Sequence, residues 1–394
     1  MSKKLLQINV SANWGSTGKI AESIGLAAIK HGWESYIAYG RYCNPSQSHL
    51  IKIGTKIDPY LHYMHQRIFD DEGQCSKYAT RQLIKTIKDL GPDVVQLHNI
   101  HDHYLNYRLL FEYLNQTDIK IVWTFHDCWA FTGHCFHFVT KKCERWKTEC
   151  YDCPLQHEYP KTLLDYSTEN FSLKKSLFTN NKNLTIVACS EWMAQFVRES
   201  FLQAKPLYVI HNGVDLDIFK AMPNEKDQKT FKVLAVSNVW NKDKGIDDIL
   251  ALRNLLPEDY AMTIVGLNEK QLKNLPGIKG IQRTQNVQEL VKLYSEADVL
   301  INPTYADTFP TVNLEAFACG TPVITYRTGG SPEAIDEKTG VVVEQGDVKA
   351  LADAIVRMKE YPLASSDCRK RAEEEFDKDK CFEKYIGLYE KLLR

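Results

Sequence analysis

The chain has 394 residues, which is too long for one compact core and is enough for two domains. Hydrophobic residues make up 44% and charged residues 25% of it, ordinary values for a globular protein, and the formal net charge is -1. A chain with this charge has no general attraction to nucleic acid or to anionic lipid, so any basic surface must be local.

The N-terminal sequence MSKKLLQINVSANWG carries two lysines, but its apolar run is interrupted at Gln7 and Asn9. This run is too short for a signal peptide, and no later segment approaches the roughly 20 apolar residues of a membrane helix. We therefore expect a cytoplasmic protein with at most peripheral contact with the inner face of the cytoplasmic membrane. Thiols stay reduced there, so the 11 cysteines are expected to be buried apolar residues or metal ligands.

Short β-branched runs alternate with segments of helical periodicity along most of the chain. The first series of predicted strands is Leu5–Val10, Val94–His98, Ile119–Phe125, Leu184–Cys189 and Leu207–Ile210. A second series follows the polar stretch Asn224–Lys229, and its predicted strands are Phe231–Val236, Met262–Val265, Asp298–Asn302 and Pro322–Thr325. This alternation predicts an α/β protein with parallel sheets covered by helices on both faces.

The two series predict two doubly wound, Rossmann-like domains that face each other across a cleft. We expect the first domain to span residues 1–212 and the second to span 213–379. The last segment, 380–394, has apolar residues at helical spacing and is predicted to be an amphipathic helix that belongs to the first domain. Ligands of such sheets bind at the carboxyl ends of the strands, at the point where the strand order reverses.

Residues 126–160 interrupt the alternation with five cysteines and four histidines. A long irregular loop inside a domain is usually functional or cross-linked. Four of its thiols, two of them at CxxC spacing, predict a structural zinc site, because tetrahedral zinc accepts four thiolates. The predicted ligands are Cys135, Cys143, Cys150 and Cys153. The alternative is a folded lid in which these thiols are only buried.

The segment YADTFPTVNLEAFACGTPVI, residues 305–324, carries the most specific chemistry. Asp307 lies in a loop after a predicted strand, and Pro310 suits the first turn of a helix that ends near Gly320. The free N–H groups and dipole of a helix start favour a phosphate. Glu315 in the second turn can accept hydrogen bonds from ribose hydroxyls. The alternative is a plain strand–helix unit with a solvated glutamate.

The spacing Asp307-x7-Glu315 resembles the E-x7-E signature of family 4 glycosyltransferases, which are retaining enzymes of the GT-B fold. Further matching pieces follow in the same order along the chain: Gly15-Ser16-Thr17-Gly18, Thr124-Phe125-His126-Asp127, Asn212-Gly213-Val214-Asp215, Lys244-Gly245 and Gly329-Gly330. The block 126–160 resembles members associated with colanic-acid-type exopolysaccharide synthesis in bacteria.

The resemblance implies a role for each matching residue. Asp307 and His126 would contact the donor sugar near its reacting carbon, Glu315 would bind the nucleotide ribose, and Lys244 would neutralise the donor diphosphate. Gly15 and Gly18 would form a loop that approaches phosphate and acceptor. At the helix start 310–313, the residues expected to contact the donor are Phe309, Thr311 and Val312.

The sequence departs from the family pattern at three positions. Asp307 is one methylene shorter than the family's glutamate, and Pro310 lacks the N–H that a glycine would offer a phosphate. Asn238 stands where the family has an arginine. Lys242, two residues before Lys244, is expected to supply part of the missing charge, and the alternative is that Lys242 is a solvated loop residue.

The resemblance implies a UDP- or GDP-sugar donor, a glycan or lipid-linked glycan acceptor and no catalytic metal. It implies a role in bacterial surface polysaccharide synthesis and gives no reason to expect a nucleic-acid partner. Two alternatives remain at this stage. One is another GT-B activity such as a nucleotide-sugar epimerase, and the other is a non-catalytic scaffold that binds a nucleotide sugar.

Overall fold

A computed structural model describes residues 2–223 and 230–394, so the polar stretch Asn224–Lys229 lies outside the described residues. The chain divides into two compact units. The first unit contains Met1–Ile210 together with Phe382–Arg394, and the second contains His211–Cys381. Each unit has its own hydrophobic core built on one parallel sheet.

The first unit holds, within its described residues, a seven-stranded sheet with the strand order β3-β2-β1-β4-β5-β6-β7. Its strands are β1 (Lys4–Ala12), β2 (Glu34–Cys43), β3 (His49–Lys52), β4 (Val94–Leu97), β5 (Lys120–Phe125), β6 (Leu184–Ala188) and β7 (Leu207–Val209). Its helices are α1 (Gly15–Lys30), α2 (Asp58–Phe69), α3 (Lys77–Leu90), α4 (Tyr107–Leu114), α5 (Ser167–Thr179) and α6 (Glu191–Glu199).

The second unit holds, between residue 230 and its end, a six-stranded parallel sheet with the order β10-β9-β8-β11-β12-β13. Its strands are β8 (Phe231–Val236), β9 (Tyr260–Val265), β10 (Ile278–Ile281), β11 (Val299–Asn302), β12 (Val323–Tyr326) and β13 (Gly340–Val343). Its helices are α7 (Ile246–Arg253), α8 (Glu269–Leu272), α9 (Val287–Glu296), α10 (Thr311–Ala318), α11 (Val348–Glu360) and α12 (Ser365–Glu375).

The last helix is α13 (Lys378–Leu392). Its first four residues belong to the second unit, and the rest of the helix belongs to the first unit. Its apolar side chains pack against the strands β1, β4 and β5 in one buried cluster. Two of its tyrosines also make polar contacts there. Tyr389 donates a hydrogen bond to Oε1 of Gln96 at 2.9 Å, and the hydroxyls of Tyr385 and Thr124 lie 3.0 Å apart.

The two Rossmann-like units confirm the predicted α/β fold class. The predicted strands all occur, with ends shifted by up to two residues. Four strands were not predicted, namely β2, β3, β10 and β13. The sequence of β10, Ile-Lys-Gly-Ile, is too short to carry a periodic signal, and β2 ends in exposed residues. No helix in the described parts of the chain is long and apolar enough to cross a membrane.

Candidate active site

The predicted donor residues of the second unit lie after β8 and β11, which are neighbours in the sheet. Strand β8 pairs with β9 on its other side, so the chain order reverses between β8 and β11. A short 3-10 turn at Lys242–Lys244 follows β8, and the loop that holds Asp307 follows β11. Both loops therefore leave the carboxyl edge of the sheet at its switch point, where α/β folds bind ligands.

The structure brings Lys244 and Asp307 together. The Nζ atom of Lys244 lies 2.5 Å from Oδ2 of Asp307 and 3.4 Å from the carbonyl oxygen of Ala306. The Asn241 side chain accepts a hydrogen bond from the Lys244 N–H at 3.0 Å and so begins the turn. The side chains of Lys244 and Asp307 are 32% and 23% exposed, so a ligand can reach both.

Two glycines allow this loop packing. Gly245 has φ +73°, and a Cβ there would lie 2.1 Å from the carbonyl oxygen of Pro303. Gly329 has φ +58°, and a Cβ there would lie 1.7 Å from the carbonyl oxygen of Asp307. Only glycine fits such a close backbone approach at positive φ. The motifs Lys244-Gly245 and Gly329-Gly330 therefore pack against the backbone of Pro303 and of Asp307, respectively.

Helix α10 begins at Thr311, one residue later than predicted, because Pro310 adopts an extended conformation at the N-cap. Pro310 provides no side-chain cap, and the N–H of Asn313 in the first turn donates to the carbonyl of Pro310 at 3.3 Å. Thr311 and Val312 are half-buried there.

The Phe309 ring is buried and stacks on His211 with ring centroids 4.7 Å apart, so this side chain packs inside the unit.

Glu315 lies in the second turn of α10, as predicted, and accepts a hydrogen bond from the hydroxyl of Tyr294 at 2.8 Å. Burial raises the pKa of Tyr294 well above its usual value, and the Glu315 carboxylate raises it further. Tyr294 therefore stays a neutral donor that fixes one oxygen of Glu315.

The other two candidate residues, Asn238 and Lys242, are exposed in the segment after β8.

In the first unit, Gly15 and Gly18 follow β1 and open helix α1. Gly15 has φ +66°, and the N-cap residue Trp14 makes no side-chain cap. A Cβ on Gly18 would lie 2.7 Å from Oγ of Ser11, so this turn of the helix packs closely on the end of β1. The loop therefore presents an uncapped helix start at the carboxyl edge of the sheet.

His126 follows β5 and belongs to a chain of hydrogen bonds across three adjacent strands. Its Nε2 lies 3.0 Å from Nδ1 of His98, and Nε2 of His98 lies 3.1 Å from Oε1 of Gln7. Burial lowers the pKa of His126 to about 4 and lowers the pKa of His98 well below its usual value. Both rings are therefore neutral near pH 7, and Gln7 orients the pair through His98.

Two further histidines, His101 and His103, follow β4, and each lies beside a carboxylate. His103 lies 2.8 Å from Glu72, and the carboxylates of Asp102 and Glu72 raise the pKa of His103 to about 9 against the effect of burial. His101 lies 2.8 Å from Asp127, and this contact raises the pKa of His101 against the effect of burial. Burial alone would raise the pKa of Asp127, but the charge of His101 lowers it to about 2. The sequence contains both groups, Asp127 after β5 and His101 after β4. Their contact depends on the pairing of β4 with β5 in the sheet.

The four cysteines of the predicted zinc site line one small, mostly apolar cavity in the segment between β5 and α5, together with His134 and Trp146. In residues 2–223 and 230–394, the one group of at least three metal-ligating atoms within 4.8 Å of one another is His65, Asp71 and Cys75. The structure thus places the four cysteines around a shared space, and no three of their sulfurs lie within 4.8 Å of one another.

Comparisons with known proteins identify the family and the fold. The family model "Glycosyltransferase Family 4" matches residues 20–218, and the model "Glycosyl transferases group 1" matches residues 230–360. WcaC of Escherichia coli K12, provisionally named a colanic acid biosynthesis glycosyl transferase, is 22% identical over 98% of this chain and 100% of its own length.

Two solved structures share the fold over almost the whole chain. Sucrose-phosphate synthase from Thermosynechococcus elongatus has a TM-score of 0.73 at 18% identity, covering 99% of both chains. Anabaena HepE in complex with UDP has a TM-score of 0.67 at 13% identity, covering 99% of this chain and 100% of its own. With the family 4 model covering half of its residues and the group 1 model covering most of the remainder, this chain is a GT-B glycosyltransferase and belongs to glycosyltransferase family 4.

Proposed function

We propose that the protein transfers a sugar from a nucleoside diphosphate sugar to a glycan or lipid-linked glycan, with retention of anomeric configuration. The observation that carries the proposal is the contact between Lys244 and Asp307 at the switch point of the second sheet. One cation and one carboxylate, both accessible, are the groups that a donor diphosphate and its sugar hydroxyls require. HepE, which has the same fold, is described as bound to UDP and to UDP-glucose, which supports such a donor.

The electrostatics of the leaving group support Lys244 as its main partner. Glycosyl transfer builds positive charge on the sugar ring and negative charge on the departing phosphate. A preorganised cation and a helix start stabilise that phosphate without reorganisation during the reaction. We propose that Lys244 and the first turn of α10 at Thr311 and Val312 do this. Exposed Lys242 and Asn238 would contribute less, because Asn238 offers only a neutral amide.

The neutral imidazole of His126 suits a contact with donor sugar hydroxyls or with the reacting carbon's oxygen. A neutral ring can donate one hydrogen bond, and its Nε2 already lies beside His98. We propose that the leaving phosphate itself takes the acceptor's proton on the same face of the sugar. Gly15 and Gly18 would let the loop after β1 approach both phosphate and acceptor.

Product stereochemistry tests the retaining mechanism. The protein is incubated with an α-linked nucleoside diphosphate sugar and an acceptor, and the new linkage is examined by NMR. We expect an α-linked product and no donor turnover in the absence of acceptor beyond slow hydrolysis. A β-linked product would contradict retention, and binding without turnover under all acceptor conditions would favour a non-catalytic scaffold.

Glu315 provides a separate prediction for the nucleotide. Its oxygen that is not held by Tyr294 is proposed to accept hydrogen bonds from the ribose. Glu315→Ala is expected to weaken nucleoside diphosphate binding by roughly 1.5–3 kcal/mol, which is the effect of losing a charged hydrogen bond. Isothermal titration calorimetry measures it, with exposed Glu337→Ala of the same unit as the matched control. Unchanged affinity in a folded Glu315→Ala variant would contradict the assignment.

We also propose a role in surface polysaccharide synthesis at the membrane. The relative WcaC, which is named for colanic acid biosynthesis, supports the role in polysaccharide synthesis. Exposed apolar side chains on one face of helix α2 support peripheral contact with a bilayer. The exposed fractions of Tyr60, Leu61 and Met64 are 65%, 60% and 47%. Leu163 is 67% exposed and lies beside the end of this helix, since its N–H donates to the carbonyl of Arg67 at 2.9 Å. Basic residues beside the face, among them Lys56, Arg67 and Lys161, favour anionic lipid.

Sedimentation with lipid vesicles tests this surface. The wild-type protein is expected to bind phosphatidylglycerol-containing vesicles, and Leu61→Glu/Met64→Glu is expected to bind at least about tenfold more weakly, because a charge on this face opposes burial in lipid. Leu255→Glu, an exposed leucine of the second unit, is the control. Self-association without vesicles that the same double variant abolishes would instead assign the face to a second copy of the chain.

A further inference from the structure

The cysteine-rich segment between β5 and α5 contains charges that the sugar-transfer site does not use. Lys174 on α5 is buried, with only 1% of its surface exposed. Its Nζ donates to the carbonyl oxygens of Trp129 and Thr132 at 2.8 and 3.0 Å and lies 3.5 Å from the centroid of the Trp129 ring. Within the described residues, no ion pair holds this amine, and burial lowers the pKa of Lys174 to about 7 although the charge of Asp70 opposes that effect.

In the described structure, the cavity that the cysteines line contains one buried polar atom without a hydrogen-bond partner. His134 lines the cavity and has a fully buried side chain whose Nδ1 is hydrogen-bonded to Asp70. Its Nε2 has no hydrogen-bond partner among the residues that the structure describes. A buried polar atom without a partner is costly, so its position in the lining indicates a polar or ionic guest.

Burial raises the pKa of the Cys150 and Cys153 thiols, and one backbone N–H group at each thiol opposes that effect. The N–H of Gly133 donates to Sγ of Cys150 at 3.3 Å, and the N–H of Leu155 donates to Cys153. Cys135 is buried in the core of the first unit, and Cys143 packs against the same core. Four thiolates around a divalent zinc ion carry a net charge of about -2, which requires buried positive charge nearby.

We propose that Cys135, Cys143, Cys150 and Cys153 bind one structural zinc ion as four thiolates, and that Lys174 compensates the negative charge of this centre. Zinc–sulfur bonds of about 2.3 Å place the four sulfurs about 3.8 Å apart, so metal binding draws the thiols inward from their present separations. The ion would then cross-link the irregular segment, whose first residues are His126 and Asp127.

Metal analysis of the purified full-length protein tests the ligands. After dialysis against EDTA, the wild type is expected to retain about one zinc ion per chain, and Cys150→Ser/Cys153→Ser less than about a tenth of that. The control is Cys43→Ser, an exposed thiol of the same unit. Cys75→Ser examines the group His65, Asp71 and Cys75. Zinc that leaves with Cys75→Ser and stays in the CxxC double variant would overturn the proposal.

Cobalt substitution of the wild-type protein avoids any dependence on how variants fold. A cobalt-loaded protein is expected to show thiolate-to-metal charge-transfer absorption and the ligand-field bands of a tetrahedral site with four sulfurs. Absence of charge-transfer absorption would overturn the site, and a spectrum of three sulfurs and one nitrogen that His134→Gln alters would overturn the tetrathiolate assignment.

The role of Lys174 is tested by the rate of zinc transfer to a chromophoric chelator. Lys174→Met keeps the length and apolar stem of the side chain and removes its charge. We expect it to release zinc at least tenfold faster than the wild type, and the exposed neighbour Lys175→Met to release it at the wild-type rate. Equal rates for the two variants would overturn charge compensation by Lys174. Sugar transfer is measured separately, because the zinc site does not rest on the proposed reaction.

Discussion

Lys244→Ala is expected to reduce sugar transfer at least about 100-fold, because it removes the cation proposed to stabilise the leaving phosphate. Turnover of a nucleoside diphosphate sugar in the presence of acceptor measures the effect. The matched control is Lys242→Ala, which removes an exposed lysine two residues earlier in the same loop and is expected to cost much less. Full activity of a folded Lys244→Ala variant would show that this loop does not contact the leaving group.

Because Lys244 contacts Asp307, a double variant can separate a structural role of Lys244 from a direct contact with the donor. If Lys244 served mainly to hold the Asp307 loop, the double variant Lys244→Ala/Asp307→Asn would lose little more transfer activity than either single variant. If each residue contacts a different part of the donor, their effects on transfer would be closer to additive. Nucleotide affinity separates the two roles further, since Lys244→Ala should weaken binding of the nucleoside diphosphate and Asp307→Asn should leave it nearly unchanged.

His126→Asn is the second variant with a large expected effect. We expect transfer to fall by roughly two orders of magnitude while the dissociation constant of the nucleoside diphosphate stays within about twofold, because the ring is proposed to contact the sugar and not the nucleotide. Exposed His31→Asn of the same unit is the control. An equal loss of transfer and nucleotide affinity would move His126 to the nucleotide site or to a structural role.

The pH profile gives this prediction an independent readout. The folded-state pKa of His126 is lowered to about 4, so the ring is neutral at every pH above about 5 and does not titrate between pH 6 and 9. Transfer by the wild type should therefore show no ionisation of His126 in that range. His98→Gln, which removes the neighbour that orients His126, should lower the turnover number more than it changes the Michaelis constant for the donor.

The sequence established the fold class and the position along the chain of the strands that carry the chemistry, because both depend on local periodicity. Runs such as Val94–Leu97 and Phe231–Val236 are mostly apolar, contain valine, and are flanked by helical patterns. The start of α10 could be predicted to within one residue, since Pro310 and the following apolar residues encode it locally. Short or half-exposed strands such as β10 gave no such signal.

The partners of the predicted residues depended on the tertiary structure. Lys244 and Asp307 are 63 residues apart in sequence, and they meet because β8 and β11 pair in the sheet although β9 and β10 intervene in the chain. His126 meets His98 for the same reason, through the pairing of β4 with β5. Burial is a property of tertiary packing. It makes His126 neutral and, in the described structure, it encloses Lys174 without an ion-pair partner. Local sequence determines which segments become strands and helices, whereas strand order and burial determine which side chains meet and what charge they carry.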